Sequence, residues 1–179
     1  VPARIDADRQ AETARKYIDG LAGAGRYFFS SADARDALGV SPVAARMALH
    51  RLSQQGLVAS PARGYYVIVP PEYRKLGCTP AEQWVPSLME RMGLRYYAGL
   101  LTAAQYHGAA HQRPQEFQVC LERARRLLAC SRVRVAFIVR KRLRDVPVQR
   151  LNTPRGILVI STPEATALDL VGYPYRAGG

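Results

Sequence analysis

Residue types that carry covalent or metal chemistry are scarce in this sequence. Its 179 residues include three cysteines, three histidines and one tryptophan, and only 14 acidic residues stand against 26 Lys and Arg. Cys78, Cys120 and Cys130 lie far apart without a C-x-x-C pair, which removes the usual zinc-finger and redox frameworks and leaves buried or idle thiols in a reducing compartment. No apolar run reaches the roughly 18 to 20 residues that span a bilayer, and "VPARIDADRQ" lacks the basic-then-apolar layout of a signal peptide. A cytoplasmic protein with no membrane partner is expected. The sequence has no glycine-rich phosphate loop, no G-x-S-x-G elbow and no Cys/His nucleophile arrangement, and Glu116, Glu122, Asp145 and Asp169 are too scattered for a nuclease site. His107 and His111, in "HGAAH", are four apart but lack the adjacent glutamate of a zinc-protease helix. Gly108 and "QRPQ" end the helix there, so capping or core hydrogen bonds explain the pair more simply than a metal. The expectation is a non-enzyme with no cofactor and no metal.

What is present is apolar residue and positive charge. Apolar types make up 48% of the chain, enough for packed cores, and the net charge is +12. A surplus of that size on a small protein favours a polyanionic partner or an acidic protein surface, with nucleic acid first. The start at Val1 rather than Met and the stop in "YPYRAGG" are what a trimmed fragment with a shortened last helix is expected to show.

The first seventy residues are strongly punctuated. "ADRQAETARKYIDGLAG" predicts a helix over about residues 7 to 22, with Ala14, Tyr17, Ile18 and Leu21 at three- and four-residue spacing. "YFFS" reads as a short extended segment. Ser30 or Ser31 caps a second helix, "ADARDAL", which stops at Gly39. Ser41 caps a third, with Pro42 at its first position and Gly56 at its end. "LVAS" and "YYVIV", joined by "PARG", form a hairpin. Helix, strand, helix, helix and hairpin is the order of a winged helix-turn-helix, in which the third helix enters the major groove and the hairpin turn lies along the flanking backbone.

Spacing divides the third helix into two faces. Ala45, Ala48 or Leu49, and Leu52 form an inward stripe that Val40 and Leu57 extend. Val43, Arg46, Met47, His50, Arg51 and Gln54 are left outside. Arg46 can offer a bidentate fork to guanine, His50 and Gln54 can hydrogen-bond base edges, and Val43 or Met47 can touch a thymine methyl. Arg63 at the turn is the natural wing contact to phosphate or minor groove. Ser41 and Tyr65 complete the candidate DNA-binding set.

"PPEY" breaks the second wing strand and sets the boundary between a winged-helix domain, residues 1–70, and a basic α+β domain, residues 71–179. In the second, "TPAEQWVPSLMERMG" predicts a helix interrupted near Pro86, and "YYAGLLTAAQYHG" a largely buried helix. "EFQVCL", "RVRVAFIVR" and "GILVIS" predict a sheet of at least three strands. "TPEATALDLVG" predicts a helix capped by Thr162, with Pro163 first and Glu164 in its first turn. Residues 122–155 hold eleven basic and two acidic residues, nearly all of the excess charge. Alternation along "RVRVAFIVRKR" places Arg132 and Arg134 on one face and Val133, Val135, Phe137 and Val139 on a core face. Together with Arg123, Arg125, Arg126, Arg140, Lys141, Arg142 and Arg144, the first face predicts a basic surface for DNA, structured RNA or an acidic protein. No interleaved aromatics point to single-strand stacking on it.

Over roughly residues 25 to 173 the chain resembles the AbiEi-type antitoxins of AbiE-like abortive-infection, type IV toxin–antitoxin systems. The resemblance rests on "YFFSSADARDALGVSPVAARMALHRLSQQGLVASPARGYYVIVPPEYRKLG", then "YYAGLLTAAQYHGAAHQRPQEFQV" and "STPEATALDLVGY". "HGAAHQRPQ" and "TPEATALDL" are its specific parts. It implies a two-domain protein whose winged helix binds inverted repeats in its own promoter and represses the operon. It also implies a C-terminal domain that neutralises a nucleotidyltransferase-like toxin without forming a stable complex. Carried onto this chain, the recognition helix is residues 42–55 and the wing centres on Arg63. His107, His111 and Arg113 carry no implied role beyond structure, and the oligomeric state is left open.

Overall fold

A computed structural model of the chain describes residues 2–109 and 114–177. It divides into two compact units, Val1–Thr79 with Cys130–Arg132, and Pro80–Ala129 with Val133–Gly179.

In the first unit, helix α1 (Pro2–Gly23) leads to strand β1 (Phe28–Ser30), helices α2 (Ser31–Leu38) and α3 (Pro42–Gln54), and strands β2 (Val58–Ala62) and β3 (Tyr65–Ile68). Each boundary has a local cause. Ser30 and Asp33 exchange side-chain and backbone hydrogen bonds in a capping box that starts α2. Gly39 ends α2 in the left-handed region, at φ 61°. Ser41 accepts from the Ala44 amide at 3.2 Å and Pro42 opens α3, so two of its four unsatisfied N-terminal amides need no outside partner. The strands form an antiparallel sheet in the order β1-β3-β2. Ala14, Ile18, Phe29, Ala34, Ala48, Leu49, Leu52, Val58 and Ile68 close the core between helices and sheet. Each fully buried leucine contributes about 1.5–3 kcal/mol relative to exposure. Both Ala48 and Leu49 face inward.

Strand β2 carries one residue too many. Ala59 faces Val67 and Ala62 faces Tyr65, so three steps on β2 meet two on β3, a bulge at Ser60 and Pro61. The Ser60 hydroxyl holds it, reaching the carbonyls of Ala62 at 3.0 Å and Tyr65 at 3.1 Å. Further on, Leu76–Cys78 lies against Cys130–Arg132: the Arg132 amide donates to the Leu76 carbonyl at 3.3 Å. Cys78 and Cys130 are buried free thiols that hydrogen-bond each other, and that bond, with burial, pushes the Cys78 thiol up.

The second unit contains helix α4 (Val85–Arg91), strand β4 (Tyr97–Ala98), helix α5 (Leu100–Tyr106), strands β5 (Phe117–Leu121), β6 (Leu128–Cys130), β7 (Val133–Val139), β8 (Val148–Thr153) and β9 (Gly156–Ser161), and helix α6 (Pro163–Gly172). The sheet order is β6-β7-β5-β4-β9-β8. β5 runs parallel to β7 and antiparallel to β4, so the strand direction switches between β5 and β4. Helices α5 and α6 pack on one another. Two expectations are corrected. "YYAGLLTAAQYHG" is not one helix, because Tyr97 and Ala98 form the central strand β4 and the helix begins at Leu100. Gly99 makes the corner, where a Cβ would stand 2.8 Å from the Tyr97 ring and 3.0 Å from the Cys120 sulfur. The break expected near Pro86 falls at Trp84, between a 3-10 turn, Ala81–Gln83, and α4, whose first turn Pro86 joins.

Candidate nucleic-acid interface

Helix α3 turns Ala45, Ala48, Leu49 and Leu52 into the core, and the helical period leaves the opposite side to solvent. Arg46, His50 and Gln54 are exposed there, together with two apolar side chains, Val43 at 60% and Met47 at 47% exposure. Large apolar residues between polar ones on one exposed helix face are the composition that base edges and thymine methyls require. Arg51 is half-buried at the margin of this face and is already engaged within the protein. The Ser41 side chain is used as the helix cap, which leaves its exposed backbone at the helix N-terminus. Arg63 and Gly64 alone connect β2 to β3, with Gly64 at φ 69°, so Arg63 is the only side chain at the wing tip.

Tyr65 does not belong with them. It is 2% exposed and stacks on Phe28 with ring centroids 6.3 Å apart, so its ring is not available to a nucleic acid.

The basic stretch of the second half also differs from its linear reading. Arg132 sits in the turn before β7, exposed, and Arg134 pairs with Glu116 at 3.3 Å. Beyond Arg134 the same side of β7 carries Ala136 and Ile138, both buried, so the strand has no continuous basic face. The strand is interior, between β6 and β5, and is covered on both sides for most of its length. Arg140, half-buried, is engaged as well, with its Nε 3.4 Å from Oδ1 of Asp169, a carboxylate 2% exposed. Arg123, Arg125 and Arg126, in the loop after β5, and Lys141 and Arg142, after β7, are exposed. One residue that the sequence pattern did not place with the loop arginines does join them: Arg95, before β4, lines one groove with Arg123, Arg125, Arg126 and Arg144. Only the fold could bring these together, since Arg95 and Arg123 are 28 positions apart in the sequence.

The motif residues of the second unit build scaffold. Thr162 caps α6, Thr166 hydrogen-bonds Ser161 and the Thr162 carbonyl, and Asp169 accepts the Tyr97 hydroxyl at 2.7 Å. His107 donates from Nε2 to the Ser161 carbonyl at 2.8 Å, which ties the end of α5 to the end of β9 and fixes its tautomer. Gln118 accepts from the Leu101 amide at 2.9 Å, which supplies the missing cap at the start of α5. His111 and Arg113 lie outside the described residues. Among the described residues, no group of His, Cys, Asp and Glu is arranged to hold a metal ion, and no helix is long and apolar enough to cross a membrane.

Residues 17–69, the winged helix, match the family profile "Transcriptional regulator, AbiEi antitoxin". Residues 97–179 match "AbiEi antitoxin C-terminal domain". The chain belongs to the AbiEi antitoxin family. Both family domains occur in their proper order, and neither profile describes an enzyme. A similar fold is found in the crystal structure of the RV2827C protein from Mycobacterium tuberculosis, with a TM-score of 0.64, 21% identity and coverage of 92% of this AbiEi chain. The chain spans 62% of the length of that protein. No curated protein matches it.

Proposed function

We propose that this AbiEi protein is a sequence-specific, DNA-binding autorepressor and antitoxin of a toxin–antitoxin operon, acting in the cytoplasm. Its α3 face reads promoter inverted repeats, with Arg46, His50 and Gln54 at base edges and Val43 and Met47 against thymine methyls. Arg63 touches phosphate or minor groove beside the site. The single observation that carries this reading is the exposed, mixed polar and apolar face of a correctly capped α3. The toxin partner is a nucleotidyltransferase-like protein, and no catalytic chemistry is assigned to this chain. A gel shift and footprint on the upstream region, against scrambled DNA at two salt concentrations, test it. Protected inverted repeats with strong preference over scrambled DNA are the expected result. Weak, sequence-blind binding that vanishes with salt would refute operator recognition.

A further inference from the structure

Five guanidinium groups converge where the strand direction of the second sheet switches. Arg123, Arg125 and Arg126 follow β5, Arg95 precedes β4, and Arg144 follows β7, so all lie at the carboxyl ends of the parallel pair β5 and β7. Crevices at such ends are where open sheets hold ligands. The groove they line measures about 810 Å³ and holds one carboxylate, Glu122. All five arginines are exposed, and none makes an ion pair among the described residues. Five like charges with a single carboxylate in the groove among them repel one another, and a dense anion relieves that repulsion.

A second recess of about 430 Å³ adjoins the groove and shares Leu94, Arg95 and Arg144 with it. Its walls are mainly apolar, with Tyr96, Val146, Val148 and Val159, and carry one carboxylate, Glu90. Two arginines therefore border both a charged channel and an apolar recess. This is the division of a nucleotide: phosphate in the channel, base in the recess, with a guanidinium plane free to stack on the base. Both cavities have volumes in the range of small-ligand sites.

We infer that the groove and recess bind single-stranded nucleic acid, holding its phosphates on the five arginines and a base in the recess. This goes beyond operator recognition by α3 and uses none of its residues. Unlike an acidic peptide, a nucleotide strand presents both a fixed repeat of phosphates and flat apolar rings to these two neighbouring cavities.

The test is fluorescence anisotropy of the full chain with labelled oligonucleotides of about 10 nucleotides, in RNA and DNA forms, over a salt series. Strand binding is expected, lowered at least tenfold by the combined R125Q, R126Q and R144Q substitutions. The slope of log affinity against log salt should fall by about 2, at roughly 0.7 for each phosphate deprived of its arginine. R150Q, the loss of one arginine charge away from the groove, on β8, should leave affinity as it was. An abasic strand should bind more weakly than its parent. Equal RNA and DNA affinities mean that the phosphates dominate, and a preference for RNA means that the 2′-hydroxyl is read; both support the proposal. It is overturned by affinity unchanged in the triple variant, by equal binding of abasic strands, by a duplex binding as tightly through the same arginines, or by a poly-glutamate peptide matching the strand. Loss of operator preference while strand binding persists would count against the α3 reading alone.

Discussion

Replacing Tyr97 by Phe removes one oxygen from the interior of the second unit and tests what fastens α6 to the central strand. The hydroxyl donates at 2.7 Å to Oδ2 of Asp169, and both residues are almost fully buried, so water cannot replace the bond. A hydrogen bond to a charged acceptor contributes about 1.5–3 kcal/mol. Asp169→Ala goes further, because it leaves the phenol without an acceptor and also removes the ion pair to Arg140. Breaking such a buried arrangement from one side costs about 3–5 kcal/mol. The Arg140 arm alone should matter least: its side chain is 36% exposed and its Nε is 3.4 Å from the carboxylate, so solvent screens it. Arg140→Gln should cost about 0.2–1 kcal/mol. The expected order is Asp169→Ala above Tyr97→Phe above Arg140→Gln. At about 2–4 °C per kcal/mol for a chain of this size, Tyr97→Phe lowers Tm by roughly 3–12 °C. Urea unfolding followed by the fluorescence of Trp84 measures it, since the only tryptophan is 1% exposed and lies in this unit. A Tyr97→Phe midpoint equal to the parent's, or an Arg140→Gln loss as large as that of Asp169→Ala, would refute the reasoning.

Arg46→Ala should lower the preference for operator over random DNA, whereas Arg63→Ala should weaken both; competition gel shifts that show equal loss on both sequences for Arg46→Ala would move it off the reading face. Ser30→Ala removes half of the capping box and should cost about 0.5–2 kcal/mol, read by thermal denaturation of the first unit. Gly99→Ala should destabilise the second unit by about 1–3 kcal/mol, because its Cβ would press on the Tyr97 ring and the Cys120 sulfur; no change in the urea midpoint would mean that the corner is slack. Burial raises both the Tyr96 hydroxyl and the Cys120 thiol to about 12. Their protonated forms are favoured in the fold, so this stabilisation is complete below the unfolded values of about 8.5 for Cys and 10 for Tyr and is lost as pH rises toward 12. Urea midpoints should therefore decline steadily above about pH 8.5, less steeply in Tyr96→Phe; a midpoint that held or rose would reverse the sign.

The first unit was legible because its signals are local. Ser30, Gly39, Ser41, Pro42 and Gly56 act within a turn of where they stand, and the stripe Ala45, Ala48, Leu49 and Leu52 needs only the helical period. Tyr65 was misread because β3 is covered on both of its sides, so alternation along it does not mark an exposed ring. The second unit depends on distant partners. Asp169 meets Tyr97 across 72 residues, and nothing near Arg140 in the chain shows that a carboxylate will claim it. Strand β8, mostly exposed along its length, has no alternation to read. Strand β4 was hidden because a two-residue strand runs directly into an apolar helix. The alternation of β7 misled for the opposite reason, since an interior strand buries both of its sides.

The bulge at Ser60 and Pro61 bears on how copies behave as neighbours. β2 is an outer strand of its sheet, the kind of border that invites a further strand from another molecule. Pro61 has no amide hydrogen to offer, and the extra residue bends the border out of register with any straight strand laid beside it. Two copies of this unit brought side by side can therefore meet at their wings without zipping into one continuous sheet.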